Sequence, residues 1–137
     1  MKKYNLWLAI TLIFFSCSNK GTVDSNPFIP SYSFTVDINM NLPSYSSLQY
    51  PSNAIYYAAK GVRGIIIFNT GLGYNAFDAA CPNQTLSSCS TMKIDGINAI
   101  CPCDNQSYNL FSGQGTLQYP MKQYAVEVNG NVLRIYN

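Results

Sequence analysis

The sequence predicts an all-β fold, a small antiparallel sandwich or barrel, and three observations carry that reading. "SFTVDINMNL" (33–42) alternates strictly, with Phe34, Val36, Ile38, Met40 and Leu42 on one face and Thr35, Asp37, Asn39 and Asn41 on the other, the period-two signature of a half-buried strand. Asp95-Gly96 and Asn129-Gly130 lie between β-rich runs and supply the positive φ that a two-residue hairpin turn demands. No long segment carries a helical stripe, and Gly, Pro, Asn and Ser punctuate the chain roughly every eight to twelve residues, as in sandwiches and barrels.

The chain begins with two lysines, an apolar run from Leu6 to Phe15, and then Ser16-Cys17. A charged start, a short apolar run and a small residue before the cut predict a signal peptide over 1–16, because a spanning helix needs roughly 20 apolar residues. The ending Phe-Ser-Cys resembles the bacterial lipoprotein lipobox, with Phe15 where leucine or alanine is commoner. That resemblance implies that Cys17 becomes the mature N-terminus and carries the lipid, each buried methylene contributing about 0.8 kcal/mol to anchoring. It implies a place in the bacterial cell envelope, anchored in a membrane, at the outer membrane or facing the periplasm. Residues 17–31 are polar and broken by Gly and Pro, a linker, and 32–137 is the size of one small domain. Removing Lys2 and Lys3 leaves six basic residues against six acidic ones, without the basic stripe that nucleic-acid binding needs.

Within the domain, "AIYYAA" (54–59), "GIIIFN" (64–69) and "YNAFDAA" (74–80) are β-rich runs separated by "KGVR" and "TGLG", which predicts a three-stranded meander. Gly71 and Gly73 have no helix after them and read as a turn, not a phosphate loop. Asp95-Gly96 is expected to join "TMKI" to "INAI". Asn129-Gly130 is expected to join "YAVEV" to "NVLRIY" and to pair Val126 with Leu133 and Tyr124 with Ile135, leaving Glu127, Val132 and Arg134 on the opposite face. Tyr45, Tyr50, Tyr56 and Tyr57 suit core and sheet better than a recognition surface. The triplets at 83–85 and 105–107 match a glycosylation pattern that a bacterial lipoprotein gives no weight.

Beyond Cys17 there are four cysteines, Cys81, Cys89, Cys101 and Cys103, and no histidine anywhere. An even count in an exported chain predicts two disulfides, with three connectivities open. "FDAACP", "CPC", "SYNLFSG" and the final "VEVNGNVLRI" together resemble the Rieske [2Fe-2S] family over roughly Ala54 to Tyr136. That family's pattern is Cys-x-His followed later by Cys-x-x-His.

The resemblance implies a Rieske-like β domain over 32–137, with a two-loop subdomain at 81–113 that corresponds to the cluster-binding loops. It places Cys81 and Cys101 on the two cysteine ligands, Cys103 on the cysteine of a flanking disulfide, and Tyr108 on an aromatic near the cluster. The chain departs from the family at Asn83 and Asp104, which stand where the histidines belong, and at Asn105-Gln106, which replaces Gly-Ser. A Rieske centre needs two imidazoles on one iron, so a conventional cluster is excluded. The vestigial positions Cys81, Asn83, Cys101 and Asp104 are therefore expected to bind no cofactor and no metal. Cys81 and Cys101 are expected to bond to each other instead, with Cys89 and Cys103 forming the flanking disulfide.

These expectations add up to an exported lipoprotein with no catalytic residue, a binding or structural module and not an enzyme, with a membrane and an envelope protein as partners. An alternative is an electron carrier with an atypical iron site built on Cys81, Cys101 and either Asp104 or Cys103. A third is a thiol-disulfide oxidoreductase acting through Cys101-Pro-Cys103, although no helix N-terminus is at hand to lower a thiol pKa.

Overall fold

The computed structural model describes residues 26–137, so the expected signal peptide, the lipidation site Cys17 and most of the linker lie outside the described residues. Nine strands follow in order: β1 (Thr35–Asn39), β2 (Ala54–Tyr57), β3 (Ile65–Asn69), β4 (Tyr74–Asp78), β5 (Lys93–Asp95), β6 (Asn98–Ile100), β7 (Ser107–Asn109), β8 (Gln123–Asn129) and β9 (Val132–Tyr136). A 3-10 turn, Ser46–Gln49, lies between β1 and β2. The strands form a curled six-stranded sheet, ordered β1-β9-β8-β4-β3-β2, and a separate three-stranded sheet, β5-β6-β7. Every pairing is antiparallel. The all-β expectation is met, including the meander, which is β2-β3-β4.

Why "GIIIFN" is apolar at every position is visible in the packing. Ile65 and Ile67 face a core with Ile38, Leu48, Ala76, Tyr124, Leu133 and Ile135. Ile66 and Phe68 face the opposite way, into a second core with Phe77, Met92, Ala99, Tyr108 and Leu110. A strand buried on both faces reads as a continuous apolar run instead of an alternation. β3 is thus the wall between the interior of the curled sheet and the layer where the small sheet docks. Cys81 and Cys101 belong to that second core, so the cysteine loops are part of the packing.

Two details depart from the sequence reading. The alternation of 33–42 ends early: β1 stops at Asn39, whose side-chain carbonyl accepts from the Asn41 amide at 3.0 Å, and Leu42 is exposed in the turn beyond. Both hairpins also turn one residue later than expected. Asn129 pairs with Val132, Val128 with Leu133 and Val126 with Ile135, and Asp95 pairs with Asn98. The two-residue loops are therefore Gly130-Asn131 and Gly96-Ile97. Each glycine takes the first central position with φ near +60°, and neither Asn131 nor Ile97 has positive φ, the demand of a type II′ turn in place of type I′. The slip is two residues across the ladder, so Tyr124, Val126, Leu133 and Ile135 still share one face.

Candidate functional site

Two loops meet between the sheets. The first leaves β4 at Asp78, a carboxylate with no exposed surface. It accepts hydrogen bonds from the backbone N–H groups of Val62 (2.5 Å), Arg63 (3.2 Å) and Ala80 (2.7 Å), and from the Tyr124 hydroxyl (2.5 Å). A buried carboxylate is tolerable only with such partners, and here they fasten the 61–64 turn, β8 and the start of the cysteine loop to one point. Burial and the hydrogen bond to Asp78 hold the Tyr124 phenol well above its ordinary range. From there Ala80 bridges to Thr91, and the Cys81 amide donates to the Ser90 carbonyl at 2.8 Å.

The second loop leaves β6 at Ile100 and closes on itself. The Cys101 amide donates to the Gln106 carbonyl at 2.9 Å, and the Asn105 amide to the Cys101 carbonyl at 2.8 Å. Asn105 adopts φ +58°, a left-handed conformation that asparagine tolerates better than most residues, at the position where the Rieske resemblance puts a glycine. Asp104 is exposed, and its carboxylate accepts from the Gln106 amide at 3.0 Å. It serves as a local turn cap.

Asn83 joins the loops to the rest of the domain. Its amide nitrogen donates to the Tyr108 hydroxyl (2.9 Å) and to the Tyr119 carbonyl (2.8 Å), while its carbonyl accepts from the Tyr119 amide (2.8 Å). The Tyr119 N–H needs an acceptor, which settles which way the amide points. Burial raises the Tyr108 phenol above its ordinary range, the bond from Asn83 works against that, and the Asp104 charge adds to it.

The sulfur atoms gather where the loops touch. Cys81 bonds to Cys101 with Cα atoms 5.6 Å apart, and Cys89 bonds to Cys103 with Cα atoms 5.2 Å apart, the two pairings expected from the resemblance. Cys81 and Cys101 are almost wholly buried, Cys103 is half-buried and Cys89 exposed. The Sγ atoms of Cys81, Cys101 and Cys103 all lie within 4.8 Å of one another. Polar groups attend them: the Gln84 amide nitrogen is 3.3 Å from the Cys101 sulfur, and the hydroxyls of Ser87 and Ser90 lie 3.6 and 3.9 Å from the Cys103 sulfur.

A histidine-ligated Rieske cluster does not fit these residues. Asn83 is committed to Tyr108 and Tyr119, Asp104 caps its own turn, and neither offers an imidazole. Neither joins the sulfur grouping, which consists of Cys81, Cys101 and Cys103. An all-sulfur set is a different matter, since four thiolates are a common ligand set for iron–sulfur clusters. Sequence reasoning found every cysteine but missed Asp78 and the clamp made by Asn83. The signal for Asp78 was a lone carboxylate inside the apolar stretch "AFDAA".

No family model matches the chain, and no curated protein matches it. Solved structures do. A chain of the complex of reduced oxygenase and oxidized ferredoxin in carbazole 1,9a-dioxygenase matches at TM-score 0.50 and 17% identity, over 76% of this chain and 92% of that one. The ferredoxin of carbazole 1,9a-dioxygenase from Nocardioides aromaticivorans matches at TM-score 0.46 and 14% identity, covering 77% of this chain and 97% of the other. A Sphingomonas yanoikuyae ferredoxin matches at TM-score 0.47 and 17% identity, covering 66% and 93%. The fold is Rieske-like. The expectation that the chain carries no cofactor is corrected: its fold is that of the chain matched in the oxygenase–ferredoxin complex, and the sulfurs of Cys81, Cys101 and Cys103, joined in disulfides here, lie within 4.8 Å of one another, near enough to share one metal ion if they were thiolates.

Proposed function

We propose that this chain is an electron-transfer protein of the bacterial cell envelope, exported and lipid-anchored through Cys17, whose redox centre is the cysteine cluster of the two loops. It acts as a carrier and not an enzyme, and its partner is another envelope protein. One observation carries the reading: three sulfur atoms converge within 4.8 Å at the meeting point of the loops in a Rieske-like fold. The two disulfides are the oxidised state of this centre. In the reduced state Cys81, Cys101 and Cys103, with Cys89 beside them, present thiolates that suit iron held by sulfur alone. Iron bound there would supply one-electron transfer. The residues around the centre do the rest: the Gln84 amide donates to the Cys101 sulfur, the Ser87 and Ser90 hydroxyls stand beside the Cys103 sulfur, and Asn83 and Asp78 fasten the loops to the sheets.

The test is anaerobic reduction of the full chain in detergent, followed by ferrous iron and sulfide. Stoichiometric iron with visible charge-transfer absorption, abolished by Cys81→Ser, is expected. A reduced protein that takes up no iron and passes no electrons to an acceptor dye contradicts the reading.

A second reading is a non-catalytic binding or structural module, favoured by the saturation of Asn83 with structural hydrogen bonds. It requires that the disulfides open only when the fold is lost.

A further inference from the structure

The exposed disulfide lies in the wall of a groove. An open cavity of about 490 Å³ runs beside the loops, lined by Tyr56, Cys89, Met92, Lys93, Ile94 and Pro102 among others. Its walls come from two sheet margins: Tyr56 is on β2, the last strand of the large sheet, and Lys93 and Ile94 are on β5, the outer strand of the small sheet. A groove between two sheet edges suits an extended peptide segment, which pairs by main chain and seats alternate side chains. The lining is apolar apart from the hydroxyls of Ser88, Thr91 and Tyr56 and the Lys93 ammonium, and the cation asks for an acidic neighbour.

Resting on the redox reading above, we propose that this groove docks an extended segment of a partner protein that carries a reactive dithiol beside an apolar side chain and an acidic residue. The Cys89–Cys103 bond is then the point of exchange with the partner, and Cys103 relays the bond change inward to Cys81–Cys101. The docked thiolate attacks the exposed Cys89 sulfur and expels Cys103 as a thiolate. The partner's second thiol resolves the mixed disulfide, leaving Cys89 as a thiol and the partner oxidised by two electrons.

The Cys103 sulfur, 3.6 and 3.9 Å from the Ser87 and Ser90 hydroxyls, shares the Ser87 hydroxyl with the Cys89 sulfur, which stands 3.3 Å from it, and leaves the first step beside those donors. It also lies within 4.8 Å of both Cys81 and Cys101. It attacks the Cys101 sulfur, forms a Cys101–Cys103 bond and releases Cys81 as a thiolate, which takes up a proton. This internal step moves the disulfide and transfers no net electrons. A second dithiol equivalent completes the reduction to four thiols. The buried bond is thereby reached without being exposed to solvent.

The probe is a synthetic peptide with two cysteines, a leucine and a glutamate, added at less than one equivalent to the oxidised full chain in detergent, with acid quenching, alkylation and peptide mapping over time. Early samples are expected to show Cys89 and Cys81 alkylated and Cys101 joined to Cys103. Lys93→Glu, at an exposed position of the groove, should slow the peptide reaction at least tenfold and leave reduction by uncharged dithiothreitol unchanged. Two results overturn the relay: Cys81 and Cys101 alkylated together before Cys89, or Cys89 and Cys103 alkylated together while Cys81–Cys101 never opens through them. A Lys93→Glu variant whose reaction with the peptide is not slowed, or is slowed no more than its reaction with dithiothreitol, overturns the docking groove. If dithiothreitol opens no disulfide in the folded chain, the redox reading itself fails, whereas opening of both bonds independently sinks the relay alone.

Discussion

At the level of single residues, Asn83 and Asp78 show how polar groups secure the loop pair. Asn83 makes three hydrogen bonds, two of them to the backbone of Tyr119, 36 residues away. Asn83→Ala is expected to cost about 2–3 kcal/mol, at roughly 1 kcal/mol for each hydrogen bond removed with partners left short, measured by urea unfolding of the oxidised protein. Asp78→Ala should cost about 3 kcal/mol or more, because three backbone N–H groups and a tyrosine hydroxyl lose a common buried acceptor. The sequence shows Asn83 as a missing histidine but not as a clamp. Spacing reports what stands at a motif position, and it carries nothing about a partner that the chain brings back from 36 residues on.

Among elements, the hairpins and the 61–64 turn separate two kinds of glycine requirement. Gly130 has φ +60° with nothing within 4 Å of where a Cβ would lie, so Gly130→Ala meets only backbone strain, about 1–2 kcal/mol. Gly61 has φ +82°, and a Cβ there would sit 2.8 Å from both the buried Asp78 carboxylate and the Gly64 carbonyl oxygen. Gly61→Ala should therefore destabilise clearly more, about 3 kcal/mol or above, and thermal melting of the two variants side by side checks the order. Strand identity was legible because period-two alternation and continuous apolar runs are local. The hairpin registers were not, because Asn-Gly and Asp-Gly suit a type I′ turn equally well and only the ladder shows the glycine in the first central position.

For the whole molecule, the order of the large sheet depends on contacts that no local pattern records. β1 pairs with β9, placing Thr35 opposite Tyr136, and β4 meets β8 through Ala76 and Tyr124. The cysteine-bearing loops were legible as a pair because their motifs resemble a known family. Their joint burial in the second core was not, since it depends on β3 facing both ways. Stability should respond to alkali through the buried phenols. Tyr108 and Tyr124 are both held above their ordinary pKa, so the unfolded chain releases these protons first. Their contribution is complete below about pH 10, the ordinary tyrosine value, and is lost as pH rises beyond it. Urea midpoints should fall between about pH 10 and 11, and Tyr108→Phe should flatten the decline.

Under the proposed function the cysteine cluster changes oxidation state inside an intact fold. Equilibrating the full chain in a graded series of dithiol and disulfide buffers, and counting thiols on Cys81 and Cys101 by mapping while following the near-ultraviolet tyrosine signal, decides this. A reversible two-electron transition of that pair is expected, with the tyrosine signal retained throughout. Opening of Cys81–Cys101 only together with loss of that signal would contradict it.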